Sequence, residues 1–60
     1  MNQKRIWLVE IDGEWWIKFK KLMGRWTKNK ALATPVTTAE ARIYRKDWAS
    51  YGVRIHRAAR

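Results

Sequence analysis

The sequence has no cysteine, one proline, one histidine, and five acidic residues against fourteen lysines and arginines. Without cysteine, neither a disulfide framework nor a thiolate zinc site can staple the chain. His56 alone is too little imidazole for a metal cage. No apolar run approaches the roughly 20 residues of a membrane span. Glu10 and Asp12 interrupt the only apolar stretch near the start, so no signal peptide is expected and the expected location is cytoplasmic. A glycine-rich phosphate loop, metal-ligand spacing and a nucleophile–base–orienter set are all missing. The expectation is therefore a protein that is not an enzyme, with no catalytic residues, no cofactor and no metal.

What is present is aromatic bulk and positive charge. Sixty residues make one small domain, 1–60, with marginal stability at that size. Five tryptophans supply the bulk, and a fully buried large side chain contributes up to about 1.5–3 kcal/mol. The formal net charge of +9 favours a polyanionic partner. Nucleic acid or an acidic protein surface is expected rather than a membrane, and a homodimer is compatible with the composition.

The clearest local signal is RIWLVEI, then DG, then EWWIKFKK, which reads as a β-hairpin. With Asp12-Gly13 as a two-residue turn, Ile11 faces Glu14 and Leu8 meets Ile17. Ile6 and Leu8 then share the inner face with Trp15, Ile17 and Phe19, while Trp7 and Val9 point outward. A three-residue loop with a bulge at Gly13 would turn Trp7 and Val9 inward instead. In either register alternation is expected to send Trp15, Ile17 and Phe19 to the core and Trp16, Lys18 and Lys20 outward.

Residues 21–30 read as a long basic connection, flexible or irregular, with a short strand around Trp26. ALATPV reads as a strand closed by Pro35. Thr37 and Glu40 form a capping-box pattern opening a helix over 38–51. Ala41, Tyr44, Trp48 and Tyr51 share one stripe facing the sheet, flanked by Arg42, Arg45 and Lys46. Asp47 is expected to pair locally with nearby arginines, and Gly52 is the expected left-handed residue after the helix. VRIHRA resumes a two-residue period, with Val53 and Ile55 inward and Arg54 and His56 outward. Only residues 1–4 and 58–60 look like fraying ends. The expected fold class is α+β: a small, largely antiparallel three- or four-stranded sheet, ββ(β)αβ, with one helix packed on one face.

One helix covers one sheet face. The other face is expected to carry Trp16, Lys18, Lys20, Arg54 and His56, an aromatic among cations. Such a face suits nucleic acid, by stacking on unpaired bases or by lying in a major groove. The alternative is that Trp16 is shielded by the 22–30 loop or by a second copy. Arg25, Lys28 and Lys30 add a basic loop that needs only nearness to phosphates to contribute.

The hairpin IWLVEIDGEWWIKF and the helix TTAEARIYRKDW together resemble the sheet-plus-helix DNA-binding domains at the front of phage integrases. That resemblance implies a sheet entering the major groove, DNA ahead of RNA, and Trp16, Lys18, Lys20 and Arg25 on the DNA. The final strand VRIHRA is a departure from that family. The last half, ATPVTTAEARIYRKDWASYGVRIHR, resembles short phage-encoded accessory proteins. Several of these inhibit a host enzyme such as RNA polymerase or a defence nuclease, which implies action in the host cell cytoplasm. The leading expectation is a basic nucleic-acid-binding module; the alternative is an inhibitor docking on an acidic or nucleic-acid-binding host surface.

Overall fold

The computed structural model describes residues 4–20 and 23–58. The strands are β1 (Arg5–Ile11), β2 (Glu14–Lys20), β3 (Met23–Thr27), β4 (Val36–Thr37) and β5 (Arg54–Arg57), with one helix, α1 (Thr38–Asp47), between β4 and β5. The fold is α+β, an antiparallel sheet with a single helix, in the expected ββ(β)αβ layout. The sheet has five strands, one more than the expected three or four: β3 forms around Trp26, and the two-residue β4, at the end of the expected ALATPV strand, leads straight into α1. On β1, Trp7 pairs with both Val36 and Arg57, and Glu10 with both Trp15 and Arg54. Thus β5 runs along one edge of β1, while β2 and β4 share the other.

Asp12 (φ 57°) and Gly13 (φ 83°) both have positive φ, which a type I′ two-residue turn requires. Ile11 accordingly faces Glu14. The ladder stops after Glu10–Trp15, however, so the expected Leu8–Ile17 pair does not form. Leu8 keeps a partner on the opposite edge of β1, His56. Thr34 takes the vacated side of β2: its N–H donates to Trp16 O at 3.0 Å, and its Oγ1 accepts from Lys18 N–H at 2.9 Å. Val36 and Thr37 then pair with β1, so residues 34–37 bridge the parted strands. The expected ALATPV strand is therefore a 3-10 turn at Lys30–Leu32 followed by an extended run.

Thr37 caps α1 reciprocally. Its Oγ1 accepts from Glu40 N–H at 3.1 Å, and Glu40 Oε1 accepts from Thr37 N–H at 3.0 Å, an arrangement worth on the order of 1 kcal/mol. The helix ends at Asp47, earlier than expected, and a 3-10 turn at Ala49–Tyr51 follows before left-handed Gly52 (φ 75°). Tightening from about 3.6 to about 3 residues per turn rotates Tyr51 off the buried stripe, and it is 66 % exposed. At the other end of the chain, Ala58 does not fray: its N–H donates to Ile6 O at 2.7 Å. The remaining ends, residues 1–3 and 59–60, and residues 21 and 22 of the basic connection lie outside the described residues.

Val9, Val36 and Ala41 form the buried centre, with Trp7, Trp16, Trp26, Tyr44, Trp48, Val53 and Ile55 packed against it. The inward places of Val53 and Ile55 match the period of the last strand. On the hairpin, the expected faces are reversed. Trp16 and Lys18 look toward α1, whereas Trp15, Ile17 and Phe19 look away. Trp7 and Val9 are on the helix side and Leu8 on the other. Half-buried Ile6 sits at an irregularity in the β1–β4 pairing.

The cause of the reversal is aromatic complementarity. The Trp16 ring lies 5.1 Å from Trp26, 5.2 Å from Trp48 and 6.1 Å from Tyr44. Such pairs each add about 0.5–1.5 kcal/mol beyond burial. Gly24 makes the room: a Cβ there would overlap the Trp16 ring and the Ile17 carbonyl. Lys18 tolerates the helix side because its ammonium meets the Glu40 carboxylate while its stem lies along apolar surface.

Candidate nucleic-acid interface

The sheet face away from α1 is assembled by strand pairing. Directly paired residues in an antiparallel ladder share a face, so Leu8 lies with His56, Glu10 with Trp15 and Arg54, and Ile17 with Arg25. Phe19, at an irregularity in the β2–β3 pairing between Lys18 and Lys20, joins this face through Arg25, whose guanidinium lies over its ring.

The β1–β5 side of this face is knit together. His56 Nε2 lies 2.8 Å from Glu10 Oε1, and its ring meets Trp15 at 4.8 Å. Glu10 Oε2 accepts the Gly13 N–H at 2.8 Å. The hydrogen bonds from His56 and Gly13 hold the Glu10 carboxyl below its ordinary value. Leu8 is buried within this face.

The β2–β3 side is more open. Phe19 is 58 % exposed, and the Arg25 guanidinium sits 5.4 Å from its ring centre. Trp15 is half-buried, with the Lys30 ammonium 5.3 Å from its ring centre. Lys30 reaches there because the connection after β3 is ordered. Thr27 Oγ1 accepts from Asn29 N–H, and Asn29 Oδ1 accepts from Ala31 N–H, both at 3.0 Å. The flexible loop expected between residues 21 and 30 is, in its described part, a strand and a capped turn.

The expected site residues therefore divide. Arg25, Lys30, Arg54 and His56 come together on or over the helix-free face. Lys20 at the end of β2, paired with Met23, and Lys28 beyond β3 are exposed. Trp16 and Lys18 leave the site. The Trp16 indole N–H is buried without an acceptor among the described residues, so packing alone holds that ring. Lys18 is engaged with Glu40, whose hydrogen bond raises the lysine above its ordinary value and is the leading cause holding the Glu40 carboxyl below its own. Trp26, expected in a short strand within the basic connection, lies on β3 and packs against the core.

Sequence reasoning missed Trp15 and Phe19. They stand one residue from Trp16, Lys18 and Lys20, and the signal was the aromatic pair Tyr44 on α1 and Trp48 just after it, which needs aromatic partners opposite. Asp47, expected to pair with arginines, has no ion pair among the described residues, where Lys18 pairs with Glu40 and the Glu10–His56 contact is ionic only when the imidazole is protonated.

In chemical reach, the face offers two aromatic rings four residues apart on one strand, roughly 13 Å at the usual strand rise, each with a cation above it. Among the described residues, no group of three histidine, cysteine or acidic side chains could hold a metal ion. No helix there is long and apolar enough to cross a membrane. Comparison of the chain with protein-family models, curated proteins and solved structures finds no match.

Proposed function

We propose that this protein is a non-catalytic nucleic-acid-binding module, acting in the cytoplasm, that holds unpaired bases on the helix-free sheet face. One observation carries the reading: Trp15 and Phe19 project from that face with Lys30 and Arg25 poised over their rings. A base stacking on either ring displaces the cation sideways, toward the phosphate that accompanies the base. Stacking contributes roughly 1–3 kcal/mol per base and tolerates any sequence, and the cations add counterion release. The +9 net charge supports encounter with a polyanion at long range.

Binding to unrelated single-stranded DNA oligonucleotides and their duplexes, between low and physiological salt, tests the reading. Single strands are expected to bind more tightly, with log affinity falling against log salt at about 0.7 per phosphate neutralised. Replacing Arg25 and Lys30 with glutamine should lower that slope by roughly one to two units and weaken all sequences alike. No binding at low salt would overturn the proposal. If one stoichiometric protein stays bound in a pull-down from nuclease-treated lysate, the face belongs to an acidic protein surface instead.

A further inference from the structure

The hairpin end of the molecule carries the opposite chemistry. On the helix side, a pocket of about 420 Å³ is lined by Ile11, Asp12, Glu14, Trp26, Trp48 and Tyr51. Three aromatic side chains and two carboxylates converge there, and none of the lining residues is basic. In a chain with five acidic residues and a net charge of +9, that composition is unusual. Glu40 and Glu10 are engaged with Lys18 and His56. Asp12 and Glu14 have no side-chain hydrogen bond or ion pair among the described residues. The Trp26 and Trp48 rings stand 5.4 Å apart, tilted by 55°, and form a corner rather than a closed stack. Exposed Tyr51 stands at the mouth.

We infer that this pocket binds an organic cation, an alkylammonium or guanidinium group, held by ring faces and by the two carboxylates. An aromatic face attracts a cation through its quadrupole, more strongly once water is excluded. The carboxylates add charge that the rings lack. Trp48 and Tyr51 follow directly on the C-terminus of α1, where the helix dipole is negative and also favours a cation. The cation comes as an arginine side chain of another protein or as a free quaternary amine; what the pocket recognises in both is an organic positive charge against the ring faces. Arg54 lines an adjoining polar niche that shares Asp12 and Tyr51 with the pocket, and is not among the residues lining the aromatic corner. The pocket is on the opposite side of the sheet from Trp15 and Phe19, so this inference and the nucleic-acid reading stand or fall separately.

The test is an NMR titration of the full chain with N-acetyl-arginine amide and with tetramethylammonium chloride. N-acetyl-glutamine amide and sodium chloride at matched ionic strength serve as controls. Saturable shifts of the Trp26 and Trp48 indole N–H signals are expected with at least one cation and with neither control. Response to the arginine amide alone identifies a side chain as the source, and response to tetramethylammonium alone a free amine. Mutating the tryptophans would disturb the core, so the variants are Asp12→Asn with Glu14→Gln, and separately Tyr51→Ala. Asparagine tolerates the left-handed backbone of position 12. Each variant is expected to weaken binding roughly fivefold to thirtyfold with the fold retained. Absence of saturable shifts with both cations, or unchanged affinity in the Asp12→Asn, Glu14→Gln protein, would overturn the inference.

Discussion

Trp15 and Trp16 are sequence neighbours with opposite fates. Trp16 packs against Trp26, Tyr44 and Trp48 with its indole nitrogen sealed from solvent. Trp15 stays half-buried on the far face between His56 and Lys30. The same division separates Lys18, paired with Glu40, from Arg25, which lies over an exposed phenylalanine. The two faces of β2 thus use the same residue types for different ends. Where the helix supplies matching rings and a matching carboxylate, an aromatic and a cation become structure. Without those partners, they stay at the surface.

The sharpest way to break this comparison is truncation of the two tryptophans. Trp16→Ala should cost about 3–5 kcal/mol, enough to unfold much of a marginally stable 60-residue domain, as followed by urea denaturation. Trp15→Ala should cost clearly less. If the two costs are reversed, the assignment of faces is wrong. Gly24→Ala probes the same packing from the opposing strand. Its Cβ would meet the Trp16 ring and the Ile17 carbonyl, and a loss of about 1–3 kcal/mol is expected. A neutral Gly24→Ala would mean that Trp16 does not depend on that gap.

On the other face the expected effects fall on binding rather than stability. Phe19→Ala removes a side chain that is 58 % exposed. It should leave the urea midpoint nearly unchanged while weakening single-strand binding by roughly 1–3 kcal/mol. The smallest effect concerns pH. The Glu40 and Glu10 carboxyls are held below the ordinary value of 4.5, so the stability they contribute is present above that value and is lost as pH falls through their folded-state values. Lys18 is held above 10.5, so its contribution is present below that pH and is lost as pH rises through its folded-state value. Lys18 and Glu40 are 26 % and 25 % exposed, and solvent screening keeps the effect modest. Urea midpoints measured from pH 7 down to 3 should fall less steeply for Glu40→Gln than for wild type. Parallel curves would remove the pair from the account.

The local grammar of the chain was legible where backbone chemistry decides. Asp12-Gly13 specified its turn, Thr37 with Glu40 opened the helix, Gly52 adopted its left-handed place, and Val53 and Ile55 pointed inward. The choice of face was harder to read. Alternation showed that Trp15, Ile17 and Phe19 oppose Trp16 and Lys18, but counting apolar residues favoured the wrong set. Three apolar side chains against one tryptophan and two lysines looked like a core, because partners supplied by α1 do not enter such a count. The parting of β1 from β2 was equally hidden, since it depends on Thr34 bonding to β2 from more than a dozen residues away. Arg25, Lys30, Arg54 and His56 lie on or over the helix-free face because their positions did not depend on the disputed alternation of β2.

The most direct test of the central claim, that the helix-free face is the binding surface, uses the five tryptophans as separate reporters. In an amide and indole NMR spectrum at low salt, titration with a short single-stranded oligonucleotide should shift the Trp15 indole and the backbone signals of Phe19, Arg25 and Lys30. The Trp16 and Trp48 indoles should hold still. Shifts concentrated on Arg42, Arg45 and the Trp7 indole, on the helix side of the sheet, or no shifts at all, would contradict it.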